Sequence, residues 1–335
     1  MNMVIALCFS LGTTILLSLL LRPLLVRLGL FDAPNKRSSH SVPVLRGGGL
    51  AIAVASSAAL LVGGVIEGSA GVALLAVPAG FAALGFADDR RSRSVKLRLS
   101  AQIVLSVLAA ALVAGDFDVK TSVAVIGSLA AAFWTVTYVN LFNFMDGING
   151  ITAVTAVIIG ATHMVVGSHV DNDLVAVGGA ALVGGALGFL PFNFPVARVF
   201  AGDVGSYFLG SYIAILSVIA LAADVSPVTV AAPLLLYIFD TMTTILRRAR
   251  SGKRISESHR EHSYQHLANN RLTHVRTTLI VAVITSACAG VGLVAQDRSV
   301  VVALVCSLVV IVLSATFVWL PTVFVDRRSV PRTAP

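Results

Sequence analysis

Residues 299–320 read SVVVALVCSLVVIVLSATFVWL, with no charged side chain. A run of this kind calls for lipid as its solvent, because about 20 apolar residues in a helix cross the hydrocarbon of a bilayer. Its hydrophobicity is continuous rather than alternating, so the element is a helix and not a barrel strand. Similar runs lie near 3–21, 48–66, 70–87, 99–115, 121–139, 150–167, 174–190, 205–223, 228–246 and 278–295. They predict an all-α polytopic membrane helix bundle of about eleven transmembrane helices, forming a single integral membrane domain over 1–335.

The composition agrees. Hydrophobic residues make up 57% of the chain and charged residues 12%, with a mean hydropathy of +0.91. A soluble domain carries about twice that charge fraction. A secreted enzyme, a disordered chain and, despite the net charge of +8, a nucleic-acid-binding domain are thereby excluded. Cys8, Cys288 and Cys306 all lie in apolar runs, which offers no disulfide framework and no zinc cluster. The first run is followed by Arg22-Pro23 with no small-residue cleavage site, so it reads as a retained helix.

The basic residues set the orientation. If the loop after the first helix is cytoplasmic and the sides alternate, 22 of the 24 Lys and Arg residues fall inside, leaving only Lys120 and Arg298 outside. Such a bias is a strong positive-inside signal. It places the N-terminus outside and the tail 321–335 in the cytoplasm. Glu67, Asp116, Asp118, Asp171, Asp173, Asp224 and Asp297 sit on short outer loops and read as solvated. The acids of interest are inside: Asp88, Asp89, Asp146, Asp203 and Asp240.

Asp88 and Asp89 end the third run. Adjacent carboxylates repel unless cations or water intervene, and neighbours on a helix point about 100° apart. One is therefore free to face a metal while the other faces a second group; a plain stop-transfer cap is the alternative. The fifth run leads into Asn140-Leu141-Phe142-Asn143-Phe144-Met145-Asp146-Gly147-Ile148-Asn149-Gly150. Polar residues and glycines at membrane depth suit backbone that lines a wet cavity. After the seventh run come Asn193-Phe194-Pro195 and Gly202-Asp203-Val204-Gly205-Ser206. An aspartate between glycines at a helix start suits a phosphate or metal site, with a simple N-cap as the alternative. Asp240, within the ninth run, is either functional or a structural hydrogen-bond partner of a neighbouring helix. His259, His262 and His266 recur at i, i+3 and i+7, one face of a helix if the loop is helical. Their Glu-His-x-x-x-His order is not the His-Glu-x-x-His of metalloproteases, so recognition of a sugar or phosphate is favoured over zinc.

Taken together, these segments resemble the polyprenyl-phosphate N-acetylhexosamine-1-phosphate transferases (glycosyltransferase 4 family). That family includes the initiating enzymes of enterobacterial common antigen, teichoic acid and O-antigen and is related to the phospho-N-acetylmuramoyl-pentapeptide transferases. The resemblance spans nearly the whole chain: Arg46-Gly47-Gly48-Gly49, Asp88-Asp89, Asn143-Phe144-Met145-Asp146-Gly147, Asn193-Phe194-Pro195 with Gly202–Ser206, and His259–Leu267. Five motifs in order on one membrane face are specific where each alone is weak. Many relatives carry Asp-Gly-x-Asp-Gly where this chain has Asp146-Gly147-Ile148-Asn149-Gly150. Asn149 keeps hydrogen bonding but lacks the charge, so it is expected to contact nucleotide or structure.

The resemblance implies a bacterial plasma-membrane transferase that starts a cell-envelope polysaccharide such as cell wall or the O-antigen of lipopolysaccharide. It implies UDP-linked GlcNAc, N-acetylfucosamine or N-acetylquinovosamine as donor, undecaprenyl or decaprenyl phosphate as acceptor, and Mg²⁺ as cofactor, with Mn²⁺ able to substitute. Asp88, Asp89, Asp146 and Asp203 are the expected catalytic residues. Asp203 is the expected main metal ligand, with Asp89 or Asp146 beside it, and Asp88 would act on the lipid phosphate. Arg46, Asn143, Asn149, Asn193, His259, Arg260, His262 and His266 are expected to bind substrate or fix the loops, with 247–277 as the cytoplasmic substrate-recognition loop. Membrane lipids surround the bundle, and a homodimer is compatible with the sequence. An ion-coupled membrane transporter is the alternative, opposed by acids that gather at one face and by the lack of an inverted repeat.

Overall fold

The computed structural model describes residues 2–32, 43–116, 121–253, 259–270 and 272–324. Most of the tail 321–335, with Arg327, Arg328 and Arg332, lies outside the described residues, as do Lys36, Arg37, Asp118, Lys120, Arg254 and Arg271.

The chain is a helix bundle. Its helices are α1 (Asn2–Leu20), α2 (Arg22–Arg27), α3 (Gly49–Val62), α4 (Gly68–Arg90), α5 (Val95–Ala114), α6 (Thr121–Phe144), α7 (Ile151–His169), α8 (Asp173–Asn193) and α9 (Gly202–Ala222), followed by α10 (Pro227–Ala231), α11 (Leu235–Arg250), α12 (Ser263–Asn270), α13 (His274–Val294) and α14 (Val300–Phe324). A two-residue antiparallel ladder, β1 (Phe31–Asp32) with β2 (Val44–Leu45), is the one departure from an all-α chain among the described residues. Leu45 also bridges to Val199, which pins the Arg46–Gly49 turn beside the start of α9.

Ten helices are long and apolar enough to cross a membrane, counting α1 with α2 and α10 with α11 as one span each. With the shorter apolar α3 added, the count agrees with the expected about eleven. The run at 48–66 yields only the 14-residue α3, about 21 Å of helix against a hydrocarbon thickness of about 30 Å. Gly63 and Gly64 stop it, and Gly64 has a φ of +66°. α3 nevertheless joins the two faces. At its start the Gly49 N–H donates to the Ala201 carbonyl. Beyond its end lies the start of α4, where Ser69 and Ala70 donate their N–H groups to Asp116 at the far end of α5.

α9 is the axis of the bundle. Every residue from Val204 to Ser217 is buried, as expected of a helix that is apolar all round and enclosed by others. α3, α4, α6 and α7 pack on it. The α3–α9 crossing is so close that a Cβ on Gly49 would sit 2.1 Å from the Gly205 Cα, so Gly49 is the only residue type that fits there. α14 is peripheral and exposes Val300, Val301, Leu304, Val305, Leu308, Val312 and Trp319. Apolar side chains facing outward in this way match a lipid surround.

Candidate active site

Four helix ends converge on one face: the last turns of α4 and α6, the loop into α7, and the first turn of α9. The acids they carry fall into two physically different pairs.

Asp88 and Asp89 are buried and committed. Asp89 accepts the backbone N–H groups of Asp203 and Val204, each at 3.1 Å. Two unpaired amides and the positive end of the α9 dipole favour an anion there. Arg46 closes the arrangement: its Nε lies 3.5 Å from Asp89 Oδ1, and its guanidinium also donates to the Asp89 carbonyl. Gly202 is required at the start of α9. Its φ is +72°, and a Cβ there would lie 2.6 Å from Asp89 Oδ2. Asp88 is paired with Arg98 at the start of α5, Nη1 to Oδ2 at 2.8 Å, and accepts the Arg93 N–H at 2.5 Å.

Asp203 and Asp146 are half-buried and held by neutral donors. Asp203 is the second residue of α9, so it does not cap that helix; Asp89 does. Its Oδ1 accepts from Asn143 Nδ2 at 2.9 Å, and Asn143 Nδ2 is also 2.8 Å from Ser206 Oγ. Asp146 Oδ1 accepts the Thr152 hydroxyl at 3.0 Å. Burial pushes the Asp146 carboxyl up to about 7; the Thr152 hydrogen bond opposes this and the nearby Asp203 charge adds to it.

The remaining expected residues separate into ties and walls. Asn193 is buried, with its Oδ1 accepting from Gly150 N at 2.7 Å and its Nδ2 donating to Val199 O at 2.9 Å. Both ends of the amide therefore fasten loops. Asn149 Nδ2 donates to Pro195 O at 3.1 Å, and its own carbonyl accepts from Thr278 Oγ1 at 2.8 Å. The histidine segment lies beside Asn143–Gly150, joined to it by the Tyr264 hydroxyl, which donates to the Phe144 carbonyl at 3.0 Å. The condition for one helical face of three histidines is not met. Residues 259–262 precede α12, only His266 lies within it, and the His259 and His262 rings stack instead at 5.0 Å. Burial pushes His259 down to about 4, with His262 and Arg248 adding to the effect, so its ring is neutral at physiological pH. Cationic charge in this wall comes from arginines such as Arg248, which pairs with Glu261 at 2.9 Å.

The contributions of Arg98, Arg248, Glu261, Thr152 and Tyr264 were not visible in the sequence. Arg98 is one of several basic residues in 88–98, and nothing in that run of charge distinguishes the one that turns back onto Asp88.

A membrane bundle with two half-exposed carboxylates, ringed by arginines on buried acids, is a site for polyanion chemistry. Comparison with known proteins agrees. Residues 71–221 match Glycosyl transferase family 4. The chain is 28% identical over 293 residues to the probable undecaprenyl-phosphate N-acetylglucosaminyl 1-phosphate transferase of Bacillus subtilis, covering 84% of this chain and 82% of that one. It is 30% identical over 302 residues to the decaprenyl-phosphate N-acetylglucosaminephosphotransferase of Mycobacterium tuberculosis, covering 78% and 74%. It is also 30% identical over 273 residues to the phospho-N-acetylmuramoyl-pentapeptide-transferase of Heliobacterium modesticaldum, covering 75% and 84%. The chain belongs to glycosyl transferase family 4. The ion-coupled transporter alternative gains no support from any of this.

Proposed function

We propose that this protein transfers N-acetylhexosamine-1-phosphate from a UDP-sugar to polyprenyl phosphate, releasing UMP and starting a cell-envelope polysaccharide. The observation that carries the reading is the pairing of Asp203 and Asp146, half-exposed and set by neutral donors, with Arg46 and Arg98 held beside them on Asp89 and Asp88. Two phosphate-bearing substrates need cations to bind and oriented carboxylates to organise the transfer. An oxygen of the lipid phosphate attacks the sugar-linked phosphorus, and the bond from that phosphorus to the UMP oxygen breaks. A phosphate monoester is already largely dianionic near pH 7, so Asp88 is needed for orientation more than for proton removal. Undecaprenyl phosphate and UDP-GlcNAc are the first pair to assay, because the Bacillus subtilis and Mycobacterium tuberculosis relatives carry the N-acetylglucosamine group in their names. Purified protein should release UMP only when both substrates are present; UMP release without polyprenyl phosphate, or none with any UDP-N-acetylhexosamine, would overturn the reading.

The donor set fits a divalent cation. Asp203 and Asp146 offer hard carboxylate oxygens, which suit Mg²⁺ and accept Mn²⁺. Among the described residues no three His, Cys, Asp or Glu side chains form a ready-made cage, and Mg²⁺ commonly takes one or two carboxylates and completes its shell with water and substrate phosphates. Asp89 spends its oxygens on α9, which leaves Asp203 and Asp146 as the holders. When bound, the ion supplies neutralisation of the phosphoryl oxygens. Metal binding needs Asp146 ionised, and its folded pKa lies near 7, so protons compete with the metal below that value. The apparent Mg²⁺ requirement is therefore expected to fall as pH rises from 6 to 8. Asp146→Asn should flatten that dependence. EDTA should abolish turnover, and a pH-independent Mg²⁺ requirement would remove Asp146 from the metal shell.

We place this site on the cytoplasmic face of the bacterial plasma membrane, supported by the placement of 22 of 24 basic residues. Ser69 lies at the start of α4 and Ser94 just past its end, before α5, so α4 puts the two on opposite faces of the bundle. In intact cells an impermeant thiol reagent is expected to label Ser69→Cys and to miss Ser94→Cys. The reverse pattern inverts the topology.

A further inference from the structure

Asp240 has no part in the acid cluster above. It is fully buried in α11, where a lone carboxylate at membrane depth costs several kcal/mol unless it is used. Its oxygens accept the N–H groups of Ser263 at 2.7 Å and Tyr264 at 3.1 Å, the first two residues of α12. Asp240 Oδ1 also lies 3.7 Å from His262 Nδ1. That nitrogen is buried and has no hydrogen-bond partner among the described residues. The imidazole is further confined by Phe144 at 6.3 Å, Tyr264 at 5.8 Å and the stacked His259. One carboxylate thus faces both the start of a helix and the ring that precedes it.

An eight-residue helix has almost no stability of its own, so its tethers decide where it sits. These are Asp240 and the Tyr264 and Ser263 side chains, the last donating to Val318 O at 3.4 Å. A neutral acceptor would satisfy one amide at the start of α12. A carboxylate accepts two and adds a negative charge opposite an imidazole. A carboxylate facing Nδ1 favours the tautomer with the proton on that nitrogen. In that tautomer Nε2 is the nitrogen that can accept from a ligand. At 3.7 Å the contact is longer than a hydrogen bond, and such contacts in ligand-free sites commonly tighten when substrate binds.

We propose that Asp240 is a positioning residue for the UDP-sugar: by holding both the start of α12 and Nδ1 of His262, it presents His262 Nε2 to the sugar diphosphate. This rests on the function proposed above. Asp240 acts through His262, so its loss affects UDP-sugar recognition and not the lipid acceptor. The test is steady-state kinetics on full-length protein in detergent with UDP-GlcNAc and undecaprenyl phosphate. Asp240→Asn is expected to raise the UDP-GlcNAc KM about tenfold or more, with kcat within about threefold and the undecaprenyl phosphate KM within about twofold. His262→Phe should give the same split. In the double variant the two effects should overlap, adding less than about threefold to either single change. A helix tether with no role in recognition would instead lower folded yield and affect both KM values together. Multiplying effects in the double variant, equal changes in both KM values, or an unchanged UDP-GlcNAc KM would each overturn the proposal. If Asp240→Asn is not recovered folded, Asp240→Glu keeps the charge but displaces it by one methylene from its present contacts, and the same split is expected. Failure of both to fold assigns Asp240 to the fold alone and also overturns it. If the unmodified protein releases no UMP from these substrates, the proposed function fails first, which separates the two outcomes.

Discussion

Replacing Asp203 by alanine is expected to lower turnover at least about 100-fold while leaving the protein folded, the range seen when a main charge-organising group is removed. The reason lies in how the carboxylate is held. Asp203 does not cap α9 and forms no ion pair among the described residues; its Oδ1 accepts from Asn143, which also meets Ser206. Nothing structural depends on its charge. Its charge lies near those of Asp89 and Asp88, and like charges close together destabilise the folded state. Removing it should leave the melting temperature unchanged or slightly raised, as often happens when an active-site charge is deleted. Asn143→Ala should give a smaller loss, because the carboxylate remains but its direction is no longer set. Paired measurement of UMP release and thermal melting in detergent checks both expectations. Near-normal turnover by Asp203→Ala, or its collapse in melting, would remove Asp203 from the centre of the site.

The sequence made the bundle legible because lipid is an unforgiving solvent. A continuous apolar run such as 205–223 has no alternative to a helix, and it became the buried axis α9. The run at 48–66 gives a helix shorter than its apolar length because the backbone leaves the helix at Gly63-Gly64 although the side chains stay apolar. The acids were legible as a set, because Asp88, Asp89, Asp146 and Asp203 each interrupt apolar sequence beside glycines or other polar residues. Their division of labour was not. Asp89 accepts from residues 114 and 115 positions away, and no local pattern encodes that pairing. Asp240 caps α12 across 23 and 24 positions for the same reason. The histidine spacing makes one face only on a helix, and residues 259–262 are not helical. Asn193 and Asn149 could be read either as ligands or as ties, and only their partners show that they tie loops.

Asp89→Ala is expected to behave in the opposite way to Asp203→Ala: it should cost the fold first and the activity as a consequence. The side chain is 1% exposed, and its two oxygens satisfy the first free amides of the central helix. Deletion leaves the Asp203 and Val204 N–H groups without acceptors and Arg46 without its partner. Breaking a buried, hydrogen-bonded charge pair costs about 3–5 kcal/mol. The Arg46 side chain is 31% exposed, so water recovers part of that, and roughly 2–4 kcal/mol is the expected loss. Asp89→Asn should fall between, since an amide offers one acceptor and turns two donors toward amides that also donate. Because α9 carries Asp203 on its first turn, any shift of that helix start moves the proposed site, and activity is expected to fall with melting temperature. Melting curves of the unliganded proteins should therefore rank native and Asp203→Ala highest, Asp89→Asn below them and Asp89→Ala lowest, by several degrees in all. If Asp89→Ala melts with the native protein and loses only its Mg²⁺ response, Asp89 is a metal ligand after all, and the cap is incidental.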